Sequence, residues 1–87
     1  MAKHLLIVDD EEQIREILRE VLTTAGHRVT AVGTAAEALQ VVQADPPNLV
    51  ITDLQLGESD GFEVVERMKA LNAKLPIVML TGVIMDP

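Results

Sequence analysis

The sequence predicts a three-layer α/β sandwich around a parallel sheet of four strands, with three helices between them. Two observations predict it. Four short apolar runs, at residues 5–8, 28–32, 48–52 and 76–80, alternate with three stretches in which apolar residues recur at helical spacing. The first run, Leu5-Leu6-Ile7-Val8, also lacks polar alternation, as a strand covered on both faces does. The order β-α-β-α-β-α-β, with short connections, selects right-handed crossovers within one sheet. All four strands then run parallel, and the residues that follow them gather at one rim, where ligands of such sheets bind.

Each element has its own local signal. Asp10, with Gln13 three residues on, is expected to cap the first helix. In that helix Ile14, Ile17, Leu18, Val21, Leu22 and Ala25 form one apolar stripe, expected to be core, while Glu11 with Arg15 and Glu16 with Arg19 take the wet side. Gly26 suits its C-terminal cap. Arg28 to Val32 is a half-polar second strand, which a sheet edge tolerates. Thr34-Ala35-Ala36-Glu37 reads as a capping box ahead of a second stripe, Ala35, Ala38, Leu39 and Val42, and Asp45-Pro46-Pro47 ends that helix. Asn48 to Thr52 is the third strand and delivers Asp53 into a loop. Asp60, with Glu63, is expected to cap a third helix whose Phe62, Val65, Met68 and Leu71 face the sheet. Pro76 to Leu80 is the fourth strand and ends at Thr81-Gly82.

Composition narrows the function classes. A chain of 87 residues makes one small domain that buries only about 60–65% of its unfolded surface, so its core must be nearly continuous. Phe62 is the one aromatic residue of the Phe, Trp and Tyr class, which leaves almost no stacking platform for bases or sugars. A net charge of -7 repels a phosphate backbone, so no direct binding to nucleic acid is expected. With no cysteine there is no disulfide, thiolate metal site or cysteine nucleophile. No apolar run approaches a membrane span and the N-terminus lacks a signal-peptide pattern, so a soluble cytoplasmic protein is expected.

The chemistry lies in the acids. An aspartate at the end of a buried strand needs a reason, and Asp9, Asp10 and Asp53 all follow strands at one rim, as does Thr81. Three carboxylates brought together raise one another's pKa unless a cation neutralises them. Oxygen ligands alone favour magnesium or manganese, and magnesium is held by one or two carboxylates with waters and a phosphate. With the metal offsetting the charge of an incoming phosphate, an aspartate can act as nucleophile and form an aspartyl phosphate.

These residues resemble the receiver domain of two-component response regulators: Asp9-Asp10 after strand one, Asp53 after strand three with its loop ending in Asp60-Gly61, and Thr81 after strand four. The likeness runs from about Leu5 to Gly82. It implies a flavodoxin-like sandwich of strand order 2-1-3-4-5, a fold from which the rim rule was itself partly drawn. It further implies that Asp53 accepts a phosphoryl group from a sensor histidine kinase or phosphotransfer protein. Asp10 would bind the metal directly and Asp9 largely through water, with Asp53 and the backbone carbonyl of Gln55 as further ligands. Thr81 would turn its hydroxyl to the phosphate as a switch.

The departures carry expectations too. Leu56-Gly57 stands where the family often has Met-Pro, which should only loosen the turn. Against the family, the domain at residues 1–87 is cut short after the fourth strand. The fourth helix, fifth strand and fifth helix are absent, and with them the lysine that would contact the phosphate. Lys69 and Lys74 are no substitutes, because they belong to the opposite rim. Strand four then becomes an open edge, and Ile77, Val78, Met79 and Leu80 with Val83, Ile84 and Met85 offer uncharged surface for a homo-oligomer.

Plainer roles stand beside these. Asp9 and Asp10 suit a helix N-terminus, Asp53 suits a turn, and His4 and His27 suit the surface. A scaffold that does not take up phosphate and signals by self-association is the alternative function. An enzyme is not expected: a dinucleotide fold would place a glycine-rich turn where Asp9-Asp10-Glu11-Glu12 stands, and a phosphatase would carry its nucleophile on strand one.

Overall fold

The computed structural model describes residues 3–53, 55–56 and 59–80. The chain runs β1 (His4–Val8), α1 (Glu12–Thr24), β2 (Arg28–Val32), α2 (Ala35–Ala44), β3 (Leu49–Asp53), β4 (Gln55–Leu56), β5 (Ser59–Asp60), α3 (Gly61–Leu71) and β6 (Ile77–Leu80). The four long strands form a parallel sheet in the order β2-β1-β3-β6. This is the expected α/β architecture. One element is additional, since part of the stretch expected as loop pairs as a short antiparallel ribbon, Gln55 with Asp60 and Leu56 with Ser59.

The main cluster of buried side chains lies on one face of the sheet, with Leu5 and Ile7 of β1 buried on the other. Leu6 and Val8 of β1, Val32 of β2 and Val50 of β3 meet Ala38 and Val42 of α2, Val64 and Met68 of α3, and Leu75. Leu6, Val50 and Met68 are fully buried. The α2 stripe packs as its spacing implies, and Thr34 caps it: its Oγ1 accepts the Glu37 N–H at 3.2 Å and donates to Glu37 Oε1 at 3.0 Å. In α3 the stripe is rotated from the expected one. Val64 is buried with Met68, Val65 is half-buried and Leu71 is exposed, while the side chain of Phe62 lies outside the described residues.

The other face corrects the expectation for α1. No residue of this helix is buried, and Ile17 and Val21 are 58% and 60% exposed. The helix lies over β1 and β2. Its Arg15 points toward Gly33, just past β2, so the flank carrying Ile17 and Val21 is turned the opposite way, toward β3 and β6. Among the described residues no helix covers that half of the sheet. Ile51 and Val78, paired in register on this face, are therefore half-buried and 47% exposed.

Helix ends also differ in detail. Glu11, not Asp10, holds the N-cap position of α1, and makes no side-chain cap bond. Gly26 closes the helix with φ +97, a left-handed value that glycine adopts without strain, and its N–H reaches Thr23 O at 2.9 Å. Arg15 is half-buried rather than on the wet side, whereas Glu16 and Arg19 do form an exposed pair at 3.4 Å.

His4 is a second correction: it is 5% exposed, not a surface residue. Its ring sits where β1 begins, bonded through Nε2 to Thr30 Oγ1 at 2.8 Å. Nδ1 faces Asp45 Oδ1 at 4.0 Å, and Asp45 is held in turn by Arg28 at 2.7 Å. Asn48 ties the same corner, accepting the His4 N–H at 2.8 Å and donating its own N–H to His4 O at 2.7 Å. These bonds join β1, β2 and the entry to β3 at the rim away from the acids.

Candidate functional site

β1 and β3 are hydrogen-bonded neighbours in parallel register, with Val8 opposite Thr52. Asp9, which follows Val8, and Asp53, which ends β3, therefore come out side by side at the C-terminal rim. Asp10 joins them: one carboxylate oxygen from each of Asp9, Asp10 and Asp53 lies within 4.8 Å of the others. Asp9 is buried, Asp53 half-buried and Asp10 exposed. The third strand runs one residue further than expected, so Asp53 sits on the strand itself, opposite Leu80 of β6, and not in the loop.

Asp9 is fixed from several sides. Its N–H donates to Val32 O at 3.1 Å, its Oδ1 accepts the Glu11 N–H at 2.8 Å, and its carbonyl accepts Arg15 Nη1 at 2.6 Å. Burial pushes its carboxyl pKa up. The Glu11 N–H pulls the other way, the charges of Asp53 and Asp10 raise it further, and Arg15 lowers it. A native carboxyl with a raised pKa binds its proton more tightly than the unfolded chain does. Its contribution is therefore most favourable at acid pH and declines as pH rises through the window above the ordinary carboxylate value. In EDTA, Asp9→Asn is accordingly expected to be more stable than the parent near neutral pH, with the gap closing as pH falls. Urea unfolding across a pH series checks this.

The donor set answers what could occupy the rim. Carboxylate oxygens from three side chains, one of them buried and all repelling, fit a hard divalent cation and match magnesium or manganese. Asp9, Asp10 and Asp53 are the residues that would hold it.

The remaining expected site residues divide. Gln55 opens β4, two residues past Asp53. Ile77, Val78, Met79 and Leu80 form β6, one of the two edge strands of this sheet among the described residues, the other being β2. Thr81, Val83, Ile84 and Met85 lie outside the described residues. Lys69 is at the opposite rim, its Nζ donating to Leu75 O ahead of β6. Sequence reasoning placed Arg15 only on the wet side of the helix and gave it no part in the site. The available signal was its place in the first turn of α1, from which a long side chain leans back over the preceding loop.

Comparisons with known proteins agree with this geometry. A family model described as the response regulator receiver domain matches residues 5–87. Sporulation initiation phosphotransferase F of Bacillus subtilis is 32% identical over 82 residues, which cover 94% of this chain and 66% of that protein. The alkaline phosphatase synthesis transcriptional regulatory protein PhoP of the same organism is 36% identical, over 94% of this chain and 34% of that one. Among solved structures, the N-terminal domain of a response regulator receiver protein from Methanoculleus marisnigri superposes with a TM-score of 0.90 at 30% identity, covering 100% of this chain and 72% of that one. The non-phosphorylated HemR receiver domain from Leptospira biflexa gives 0.85 at 32% identity, over 91% and 64%. The chain thus spans from about a third to about two thirds of the length of these curated relatives.

Proposed function

Because the chain belongs to the response regulator receiver domain family, we propose that it accepts a phosphoryl group on Asp53 from a phosphohistidine of a sensor histidine kinase or phosphotransfer protein. The observation that carries this reading is the meeting of Asp9, Asp10 and Asp53 within 4.8 Å at the C-terminal rim. In the transfer, a carboxylate oxygen of Asp53 forms a bond to phosphorus while the donor's P–N bond breaks. The departing imidazole nitrogen keeps the electron pair and takes a proton. Magnesium, when bound, offsets the charge of the incoming phosphoryl group. Asp9 and Asp10 would hold that cation beside Asp53, and Thr81 would report the product. The protein is a phosphoacceptor rather than an enzyme, works in the cytoplasm, and makes no direct contact with nucleic acid.

Uptake by these 87 residues alone is slow on this reading. The three lysines of the chain, Lys3, Lys69 and Lys74, stand at the strands' N-terminal rim or lead to it, so none supplies the positive charge a phosphorylated Asp53 calls for. Incubation with magnesium and acetyl phosphate, followed by intact-mass measurement, tests the proposal. One added phosphoryl mass supports it, and a well-folded protein without an adduct counts against it.

One observation favours a second role, self-association. Among the described residues β6 is a sheet edge, hydrogen-bonded to β3 alone, whose Val78 and Met79 are exposed. An uncharged edge strand pairs readily with another chain. The protein is expected to sediment as a concentration-dependent oligomer at tens of micromolar, and Val78→Lys to shift it to monomer. A sharp monomer for the parent chain would remove this role.

A further inference from the structure

Arg15 and Gly33 form a bracket over the loop that carries Asp9 and Asp10. The half-buried guanidinium of Arg15 donates through Nη1 to the carbonyl of Asp9 at 2.6 Å. It crosses the bare backbone of Gly33: a Cβ there would stand 2.8 Å from Nη1, 3.4 Å from Cζ and 3.8 Å from Asp9 O. A side chain at residue 33 would push the guanidinium aside, a small displacement for the far end of a flexible side chain but one that moves Nη1 off the Asp9 carbonyl.

The bond matters because of which atom it holds. The carbonyl oxygen of Asp9 and the nitrogen of Asp10 belong to one rigid peptide plane. Fixing that oxygen sets the plane, and with it the directions in which the Cα atoms of Asp9 and Asp10 project their carboxylates. The Asp9 N–H bond to Val32 O and the Glu11 N–H bond to Asp9 Oδ1 fix the other degrees of freedom. Removing the guanidinium takes one restraint off that plane, and with it one restraint on the direction of Asp10.

We propose that Arg15 is a positioning residue for the divalent-cation site, acting through the Asp9–Asp10 peptide, and that Gly33 is the clearance it requires. This rests on the reading that the acidic rim binds a divalent cation. Two physical effects oppose each other here and give the proposal its edge. By charge alone, Arg15 repels a cation at the rim, so its removal should tighten binding. By positioning, its removal should weaken binding about tenfold or more, the usual scale for groups that orient metal ligands.

The test is a magnesium titration of the full chain followed by amide NMR, with hydrogen exchange of the Asp10 and Glu11 amides measured in EDTA. The variants are Arg15→Met, Arg15→Lys, Gly33→Ala and the Arg15→Met, Gly33→Ala double variant. Arg15→Met is expected to bind magnesium about tenfold more weakly and to exchange faster at Asp10 and Glu11 in EDTA, with Arg15→Lys restoring part of both. Gly33→Ala is expected to weaken binding in the parent and to add nothing once Arg15 is Met. A role confined to holding the fold would lower the unfolding midpoint in EDTA and leave the affinity of the folded protein unchanged, which overturns the proposal. So does unchanged or tighter binding by Arg15→Met, with the parent binding magnesium normally. A parent chain that binds no magnesium overturns the cation-site reading itself and the positioning role with it.

Discussion

Asp53→Asn is expected to abolish phosphoryl uptake outright, reducing the adduct seen by intact mass with magnesium and acetyl phosphate to nothing. The amide keeps the size and shape of the carboxylate and loses the anionic oxygen that attacks phosphorus. The fold is expected to survive: Asp53 is only half-buried at the last position of β3, and removing one of three clustered carboxylates relieves repulsion. The variant should therefore unfold at an equal or higher urea concentration in EDTA while losing all uptake. Loss of uptake together with loss of structure would deny Asp53 a chemical role. An undiminished adduct would place the phosphoryl group elsewhere.

Met68→Ala is expected to cost about 2–5 kcal/mol, the range for truncating a fully buried methionine. A domain of this length has roughly 4–13 kcal/mol in total. One methionine thus carries a large fraction of the total stability. Its side chain belongs to the buried cluster that also holds Leu6, Val50 and Leu75. Ile17→Ala, equally apolar in sequence but more than half exposed, is expected to change stability by less than about 0.5 kcal/mol. With no tryptophan or tyrosine in the chain, far-UV circular dichroism in urea is the suitable readout for both.

That contrast marks the boundary of what the sequence could tell. Strand and helix identity was legible because each run carried its own period, and the Thr34–Glu37 box was legible because capping is a local bond between residues three apart. The acidic site was legible because parallel strands end at one rim, and the order that sets β1 beside β3 was implied by the family resemblance. What could not be read was coverage. The spacing of Ile14, Ile17, Leu18 and Val21 says that one side of α1 is apolar, and says nothing about whether a neighbour lies over its whole width. His4 was taken for a surface residue for a related reason. Its partners Thr30, Asp45 and Asn48 lie 26 to 44 positions away, and only the fold brings them to it. Arg15 was hidden by its spacing from Glu11, which suggests a helical ion pair when the guanidinium in fact turns back to the Asp9 carbonyl.

The central claim is that Asp53 is the phosphoacceptor of a cation-dependent site completed by Asp9 and Asp10. Its most direct test is borohydride reduction of the protein after acetyl phosphate treatment, followed by peptide mass spectrometry. Reduction of an aspartyl phosphate leaves homoserine at the modified position. The account predicts homoserine at residue 53, formed with magnesium and not in EDTA. Homoserine at Asp9 or Asp10, or an equal yield at Asp53 without a divalent cation, would contradict it.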